Sequence, residues 1–551
     1  MIDLRQAAFS YRSGRPPVIR NISLRIEPGE KVLVVGRNGA GKTTLSKLLA
    51  GLIPHVERGE MSGDYLLDGT SVREHRYRDI VRRVAVLFQD FEAQIVSTGV
   101  LDELLFYPLN TGLDYATASE RVRALAARFS LEHLLDREMG ELSGGEKQKI
   151  ALLALLAVNP SVLILDEPFT DIEPATQEAL LDFLNGYAGT VVLFEQVLDY
   201  HAYFDRIIVL CDGEVLRDGD RDIVADAPLL DAAGLAMPAL CRLGLSRRPV
   251  SVEECASIAK RRCSFDRKAH AAIIARDERS IAAAGEPLIE VRDLTFAYPG
   301  CARPVLDSVS LDIRRGDFVT VIGANGSGKT TLMKLVAGIL PFADGDILFR
   351  GKSIHDDPGF AGTVGYVYQN PDNQIFAETV FDEVGFILKM RGVAGHELES
   401  RVSGILSRMG LADRRDADPF ALPKGDREKV ACASIIVGEP EVIILDEPTT
   451  GLDYPSLAEL MGIVSTLHRA GITILMITHS METAAAYGST ILSMNEGRVL
   501  FYGNKREFFS NDALIEAARI KRTDIMDLSM RLNGRMLMDA EEFRACWKRK
   551  R

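Results

Sequence analysis

No C-x-x-C pair occurs among the seven cysteines of this chain (Cys211, Cys241, Cys255, Cys263, Cys301, Cys432 and Cys546), and their number is odd. That pattern excludes a cysteine metal site and a disulfide framework, and it fits a reducing compartment. Long apolar runs are missing as well. The longest, ALLALLAV at 151–158, falls far short of the ~20 residues that span a bilayer. The stretch MIDLRQAAFSYRSG lacks the apolar core of a signal peptide. Positive charge is not in excess either: the net charge is −13 and the pI about 5.4, unlike a surface built to neutralise nucleic-acid phosphates. These absences lead to the expectation of a cytosolic chain with no nucleic-acid partner, whose membrane role, if any, is exercised through other proteins.

What is present is a duplication. At 551 residues the chain is too long for one hydrophobic core, so two or more domains are expected. FSYRSGRPPVIRNISLRI near residue 10 returns as FAYPGCARPVLDSVSLDI near residue 297. VLFQDFEAQIVSTGVLDELLF returns as YVYQNPDNQIFAETVFDEVGF. The offset between copies is constant within each block, with one deletion between the blocks of the second copy.

Each copy carries G-x-x-x-x-G-K-T between an aliphatic run and a helical pattern, the context a phosphate-binding loop requires. In the first copy the loop comprises Gly36, Arg37, Asn38, Gly39, Ala40, Gly41, Lys42 and Thr43, followed by Thr44. In the second it comprises Gly323, Ala324, Asn325, Gly326, Ser327, Gly328, Lys329 and Thr330, followed by Thr331. Glycines let backbone N–H groups cradle the β- and γ-phosphates of a nucleotide, aided by the helix N-terminus behind them. Lys42 and Lys329 are expected to reach the terminal phosphates, and Thr43 and Thr330 to ligate Mg²⁺. SVLILDEP and EVIILDEP read as buried parallel strands ending in acids. Asp166 and Asp446 are expected to hold Mg²⁺ through water. Glu167 and Glu447, at the strand tips, can polarise an attacking water. A reading in which one of these acids only caps the next helix competes for a single residue but poorly for the pair.

Together with LSGGEKQ at Leu142–Gln148, these motifs resemble the ATP-binding-cassette ATPases, and the resemblance covers both halves of the chain. It implies an α/β fold of two P-loop NTPase domains, each with a helical subdomain and a short C-terminal extension, binding ATP and Mg²⁺ and hydrolysing ATP. It also implies that the cassettes pair head to tail, so that ATP on one P-loop is closed by the signature turn of the other. Ser143, Gly144, Gly145 and Glu146, and Gly425 in the second copy, then become nucleotide-binding. The same resemblance makes Tyr11 and Tyr298 platforms for adenine, against the alternative of core tyrosines. It makes Gln89 and Gln369 ligands of Mg²⁺ and sensors of a membrane partner, and His479 the switch residue facing the γ-phosphate.

Within the family, QNPDNQIF and QDFEAQIV, each with a second glutamine (Gln374, Gln94), resemble the energy-coupling-factor importers, where this segment meets the coupling helices of a membrane subunit. The other reading is a helix start with an exposed glutamine. The implied partners are integral membrane subunits for coupling and for substrate binding, and the implied place is the cytoplasmic face of the membrane. Vitamins, their precursors or transition-metal ions are the usual cargo. A fused sugar-importer ATPase, a ribosome-acting cassette protein and a chromosome-structuring ATPase stay open as alternatives. The QNPDNQ wording, the lack of a long charged linker and the lack of a heptad insertion respectively fit them poorly.

The domains are read as 1–223 and 286–506 for the cassettes, 224–285 for an extension and linker, and 507–551 for a C-terminal extension. LCRLGLSRRPVSVEECA echoes LSMRLNGRMLMDAEEFR, with Ser251 and Asp539 each placed to cap a helix that has Glu at its third position. These echoed segments are expected to hold the cassettes together, while KRRCSFDRK and WKRKR are expected to be solvated surface.

The copies differ where it matters chemically. Pro423 and Lys424 replace Ser143 and Gly144, and proline offers neither hydroxyl nor N–H. Gln196 stands against His479; it can donate a hydrogen bond but cannot carry a proton. Glu173 stands where the second copy has Asp453. With head-to-tail pairing, the site of Lys42, Glu167 and Gln196 faces Pro423. The site of Lys329, Glu447 and His479 faces LSGGEKQ. One intact and one weakened ATP site are expected.

Overall fold

The computed structural model describes residues 1–169, 172, 174–246, 251–282, 285–301, 303–357, 359–360 and 362–550. Residues 1–241 cluster as one compact unit; residues 242–246 and the chain from 251 onward form a second. Glu173 lies outside the described residues.

In the first unit a six-stranded sheet runs, edge to edge, Glu214–Gly219, Arg206–Cys211, Lys31–Val35, Thr190–Glu195, Val162–Asp166, Val84–Leu87. All neighbours are parallel except the first pair. Parallel strands covered on both faces must be apolar throughout, and Val162–Asp166 is buried at every position. Alternation along Lys31–Val35 divides the core. Val32 and Val34 face Leu45 and Leu48 of the helix Lys42–Leu49 and the antiparallel sheet built on Ile2–Ser10. Leu33 and Val35 face Leu152 and Leu155 of the helix Gly144–Val158. A helical layer of Val100–Thr111 and Tyr115–Arg128 packs on the far side of that helix through Leu104, Val122 and Ile150.

The second unit repeats this plan. Its six-stranded sheet is ordered Val364–Val367, Val442–Asp446, Thr473–Ile477, Phe318–Ile322, Thr490–Asn495, Arg498–Asn504. Among the described residues no helix is long and apolar enough to cross a membrane. The chain is thus an α/β protein with two cassettes of one architecture.

The stretch read as extension and linker, 224–285, is divided between the units. Val224, Leu230 and Leu235 join the core of the first. Residues 251–282 pack in the second, against the C-terminal extension. Ser251 caps the helix Val252–Arg262 in a reciprocal box with Glu254, and Asp539 caps Ala540–Cys546 by accepting from the N–H of Glu542. The two basic runs meet backbone to backbone: Cys263–Phe265 pairs antiparallel with Trp547–Arg549, while the lysines and arginines of 260–268 and 548–550 stay exposed. Beneath them Arg506, itself buried, donates to Glu542 at 2.9 Å and to Asp277 at 2.6 Å. Burial of that guanidinium is compensated only because both carboxylates come with it.

Candidate functional site

In both units the strand Lys31–Val35 or Phe318–Ile322 breaks into a glycine-rich loop that turns into a helix. Gly41 and Gly328, the residues before the helices, have φ of 100° and 98°, a backbone that favours glycine. At Gly36 a Cβ would lie 2.5 Å from the Leu210 carbonyl, so only glycine fits. Lys42 and Lys329 are buried and fold back onto the loops, donating to Gly36 O at 2.8 Å and Gly323 O at 2.9 Å. Arg37 leaves the loop, its guanidinium pairing with Asp212 at 2.7 Å. Asn38 is half-buried, and Asn325 and Gly326 are exposed on the loop of the second unit.

Tyr11 and Tyr298 lie beside their loops, partly exposed, each hydroxyl 3.2 Å from the hydroxyl of Thr44 or Thr331. Phe9 and Phe296 meet them edge to face. At 39% and 36% exposure neither is a core tyrosine.

Glu167 and Glu447 both have a left-handed backbone, with φ of 51° and 50°. A non-glycine residue there is strained, and strain of this kind gathers at functional positions. Their N–H groups bond back to Phe194 O and Ile477 O on the neighbouring strand, which holds the turn. In the first unit Glu167 is gripped on three sides. Gln89 Nε2 donates to Oε2 at 2.8 Å, Gln196 Nε2 to Oε1 at 2.8 Å, and Lys42 Nζ lies 3.5 Å away. In the second unit His479 Nε2 stands 2.8 Å from Oε1 of Glu447, while Gln369 and Thr450 reach Oε2 at 3.4 and 3.3 Å. Burial alone would raise the Glu447 carboxyl, but the hydrogen bond and charge of His479, with Lys329, hold it below the ordinary range.

Asp166 is buried, and its carboxyl is pushed up to about 6, by burial first and then by the charge of Glu167. Its Oδ1 has no hydrogen-bond partner, which is costly for a buried oxygen unless a further group takes it. A hydroxyl, a carboxylate and an amide oxygen (Thr43, Asp166, Gln89) are the hard donors Mg²⁺ prefers, with phosphate completing its shell. The residues fit the ion. Asp446 lies in the corresponding place, accepting from Thr330 Oγ1 at 3.2 Å.

Ser143 and Glu146 form a full capping box at the start of Gly144–Val158, beside Gly144 and the buried Gly145. Pro423 occupies the same place before Lys424–Ile436 and makes no side-chain cap. Gly425 and Asp426 follow it, half-buried. The second glutamines are tied within their own units, Gln94 to its own loop and Gln374 to the helix Lys424–Ile436. Gln94 accepts from Phe88 N at 2.8 Å and donates to Val86 O, and Gln374 donates to Ala431 O and Ser434 Oγ. Neither is the exposed helix-start residue of the competing reading.

Two site residues escaped the sequence reading. Glu195 is buried beside Glu167, pushed well above the carboxylate range by burial and by that neighbour's charge, and Thr478 takes its place in the second unit. Glu428 replaces Gln148 of the signature. It is buried, its Oε1 has no partner, and burial pushes it up to about 8. Both become visible when the two copies are set residue against residue, TVVLFEQ on TILMITH and LSGGEKQ on LPKGDRE.

A family model described as ABC transporter matches residues 19–170 and 306–450. A putative ABC transporter ATP-binding protein of Caldanaerobacter subterraneus subsp. tengcongensis is 34% identical over 100% of this chain and 99% of its own. One from Vibrio vulnificus is 33% identical over 97% of this chain and 95% of its own. Among solved structures, cbiO1 from Clostridium perfringens, titled as part of the ABC transporter complex cbiONQ, is 33% identical. It covers 42% of this chain and 93% of its own, with a TM-score of 0.38.

Proposed function

The chain belongs to the ABC transporter ATP-binding family, and from that premise we propose that it is the ATPase subunit of an energy-coupling-factor-type importer. ATP binding and hydrolysis are the family's shared activity. The observation that carries a mechanism here is Glu447, held on a strained backbone with His479 against one oxygen and the P-loop beside it.

The loop N–H groups and Lys329 hold the phosphates, and Tyr298 holds the base. Glu447, kept ionised, takes a proton from the water that attacks the γ-phosphorus as the bond to the β-phosphate oxygen breaks and ADP leaves. His479 orients that carboxylate and faces the transferred phosphate. Thr330, Asp446 and Gln369 would hold Mg²⁺ in the second unit, and Thr43, Asp166 and Gln89 in the first, where the ion would neutralise phosphate charge.

In head-to-tail pairing the second P-loop is closed by the first signature, Ser143 to Glu146, and the first P-loop by Pro423 to Asp426. The first site then lacks the serine hydroxyl, has Gln196 for histidine and carries an extra acid, Glu195. We assign most turnover to the second site. The QNPDNQIF and QDFEAQIV wording and the paired terminal segments support the importer type, with integral membrane subunits as partners at the cytoplasmic face and a vitamin, vitamin precursor or transition-metal ion as cargo.

The test is purification of the tagged full-length chain from gently solubilised membranes. Integral membrane subunits should accompany it, and stripping them should lower turnover. Recovery with ribosomes instead would overturn the importer reading.

A further inference from the structure

The two cassettes hold their metal-site aspartates by different means. In the first unit Ser46 Oγ, on the helix behind the P-loop and fully buried, shares its one proton between Asp166 Oδ2 at 2.9 Å, the charged acceptor, and Thr43 O at 3.0 Å. The matching residue of the second unit, Met333, has no hydroxyl. There the donor comes from the opposite side: Tyr366 Oη, on the strand Val364–Val367, reaches Asp446 Oδ2 at 2.6 Å. Its counterpart in the first unit is Val86, as the equivalent pairings Val86 with Ile164 and Tyr366 with Ile444 establish.

Each aspartate thus has one buried hydroxyl on Oδ2, and neither copy has both donors. The exchange conserves no volume, because Met and Tyr are each larger than Ser and Val. What it conserves is the hydrogen bond. A buried carboxylate with one oxygen tied presents the other in a fixed direction. In the first unit that other oxygen, Asp166 Oδ1, has no protein partner, and in the second it faces Thr330. Groups that orient a metal ligand from behind commonly change metal affinity 10- to 100-fold when removed.

We propose that Ser46 and Tyr366 are interchangeable positioning residues, each turning its aspartate so that the opposite oxygen is offered to the hydrated, nucleotide-bound divalent cation. The inference rests on the reading of Asp166 and Asp446 as metal-holding residues.

The test uses the full-length chain with one P-loop disabled and Mn²⁺ as the probe, titrated by electron paramagnetic resonance at saturating non-hydrolysable ATP analogue. With Lys42→Ala isolating the second site, Tyr366→Phe should weaken Mn²⁺ binding about 10-fold while leaving metal-free analogue binding unchanged. Tyr366→Val should weaken it as much, and adding Met333→Ser should recover most of the loss. With Lys329→Ala isolating the first site, Ser46→Ala should weaken Mn²⁺ binding similarly. Unchanged Mn²⁺ affinity in both Tyr366→Phe and Ser46→Ala overturns the proposal. Failure of Met333→Ser to rescue a folded Tyr366→Val overturns the interchangeability. Tyr366→Phe keeps the ring's packing, so the test survives if the valine variant does not fold. Asp446→Asn is the control: if it too leaves Mn²⁺ affinity intact, the metal-holding reading itself is wrong.

Discussion

His479 Nε2 stands 2.8 Å from Oε1 of Glu447, and Gln196 Nε2 stands at the same 2.8 Å from Oε1 of Glu167. One geometry is thus built twice with different chemistry. An imidazole can carry charge and a proton; an amide can only donate.

Glu447→Gln is expected to abolish ATP hydrolysis by the assembled complex, a loss of about 10²-fold or more for a missing general base. Glu167→Gln should be milder. Steady-state phosphate release from the two variants decides it, and equal losses would remove the asymmetry between the sites.

Pro423→Ser restores a capping hydroxyl to Lys424–Ile436 and should stabilise the second unit by about 1 kcal/mol, read from denaturant melts. Combined with Gln196→His it should raise turnover at the first site, measured with the second silenced by Glu447→Gln. No rise in the double variant would mean that the altered turn is a harmless variation.

Glu428 carries a pH signature. In the folded chain its carboxyl keeps its proton up to about pH 8, whereas the unfolded chain loses it near 4.5. Its contribution to stability is therefore full below pH 4.5 and is lost as pH rises to about 8, at up to about 1.4 kcal/mol per pH unit. Glu428→Gln, which installs the residue found at 148, should change the melting temperature little at pH 4.5. It should raise it by several degrees at pH 8. A gain independent of pH would contradict the assignment.

Arg506→Met leaves Glu542 and Asp277 buried without their cation and should cost about 3–5 kcal/mol. Arg506→Met with Glu542→Gln and Asp277→Asn should recover part of it. Calorimetry of the full chain separates these outcomes. Truncation at about residue 506 should release the segment 251–282, detected as new proteolytic cleavage there.

Much of the site was legible before any fold was known. A P-loop is a run of adjacent residues whose glycines and lysine act through local backbone geometry, so its spacing survives in one dimension. The acids after VLILD and VIILD, and the helix caps at Ser251 and Asp539, are local in the same sense. Gln94 and Gln374 were harder, because a glutamine bonded within its own unit and one offered to a partner look alike in a string of letters. Glu195 was overlooked because an acid beside Gln196 shows its burial only when the strand Thr190–Glu195 is seen between two others. Glu428 was missed because a Glu in a helix is usually solvated.

The order of residues alone determined that this chain is a duplicated nucleotide-binding ATPase, since motifs of a few adjacent residues carry that chemistry and both copies keep them. Tertiary structure alone decided which groups hold the acids. Ser46 meets Asp166 from a helix 120 positions away, and Tyr366 meets Asp446 from a strand 80 away. It also decided that 251–282 belongs with the C-terminal extension, through Arg276 and Glu542, 266 positions apart. Contacts at such separations depend on how strands are ordered and which face each side chain takes, and one linear pattern is compatible with many such arrangements.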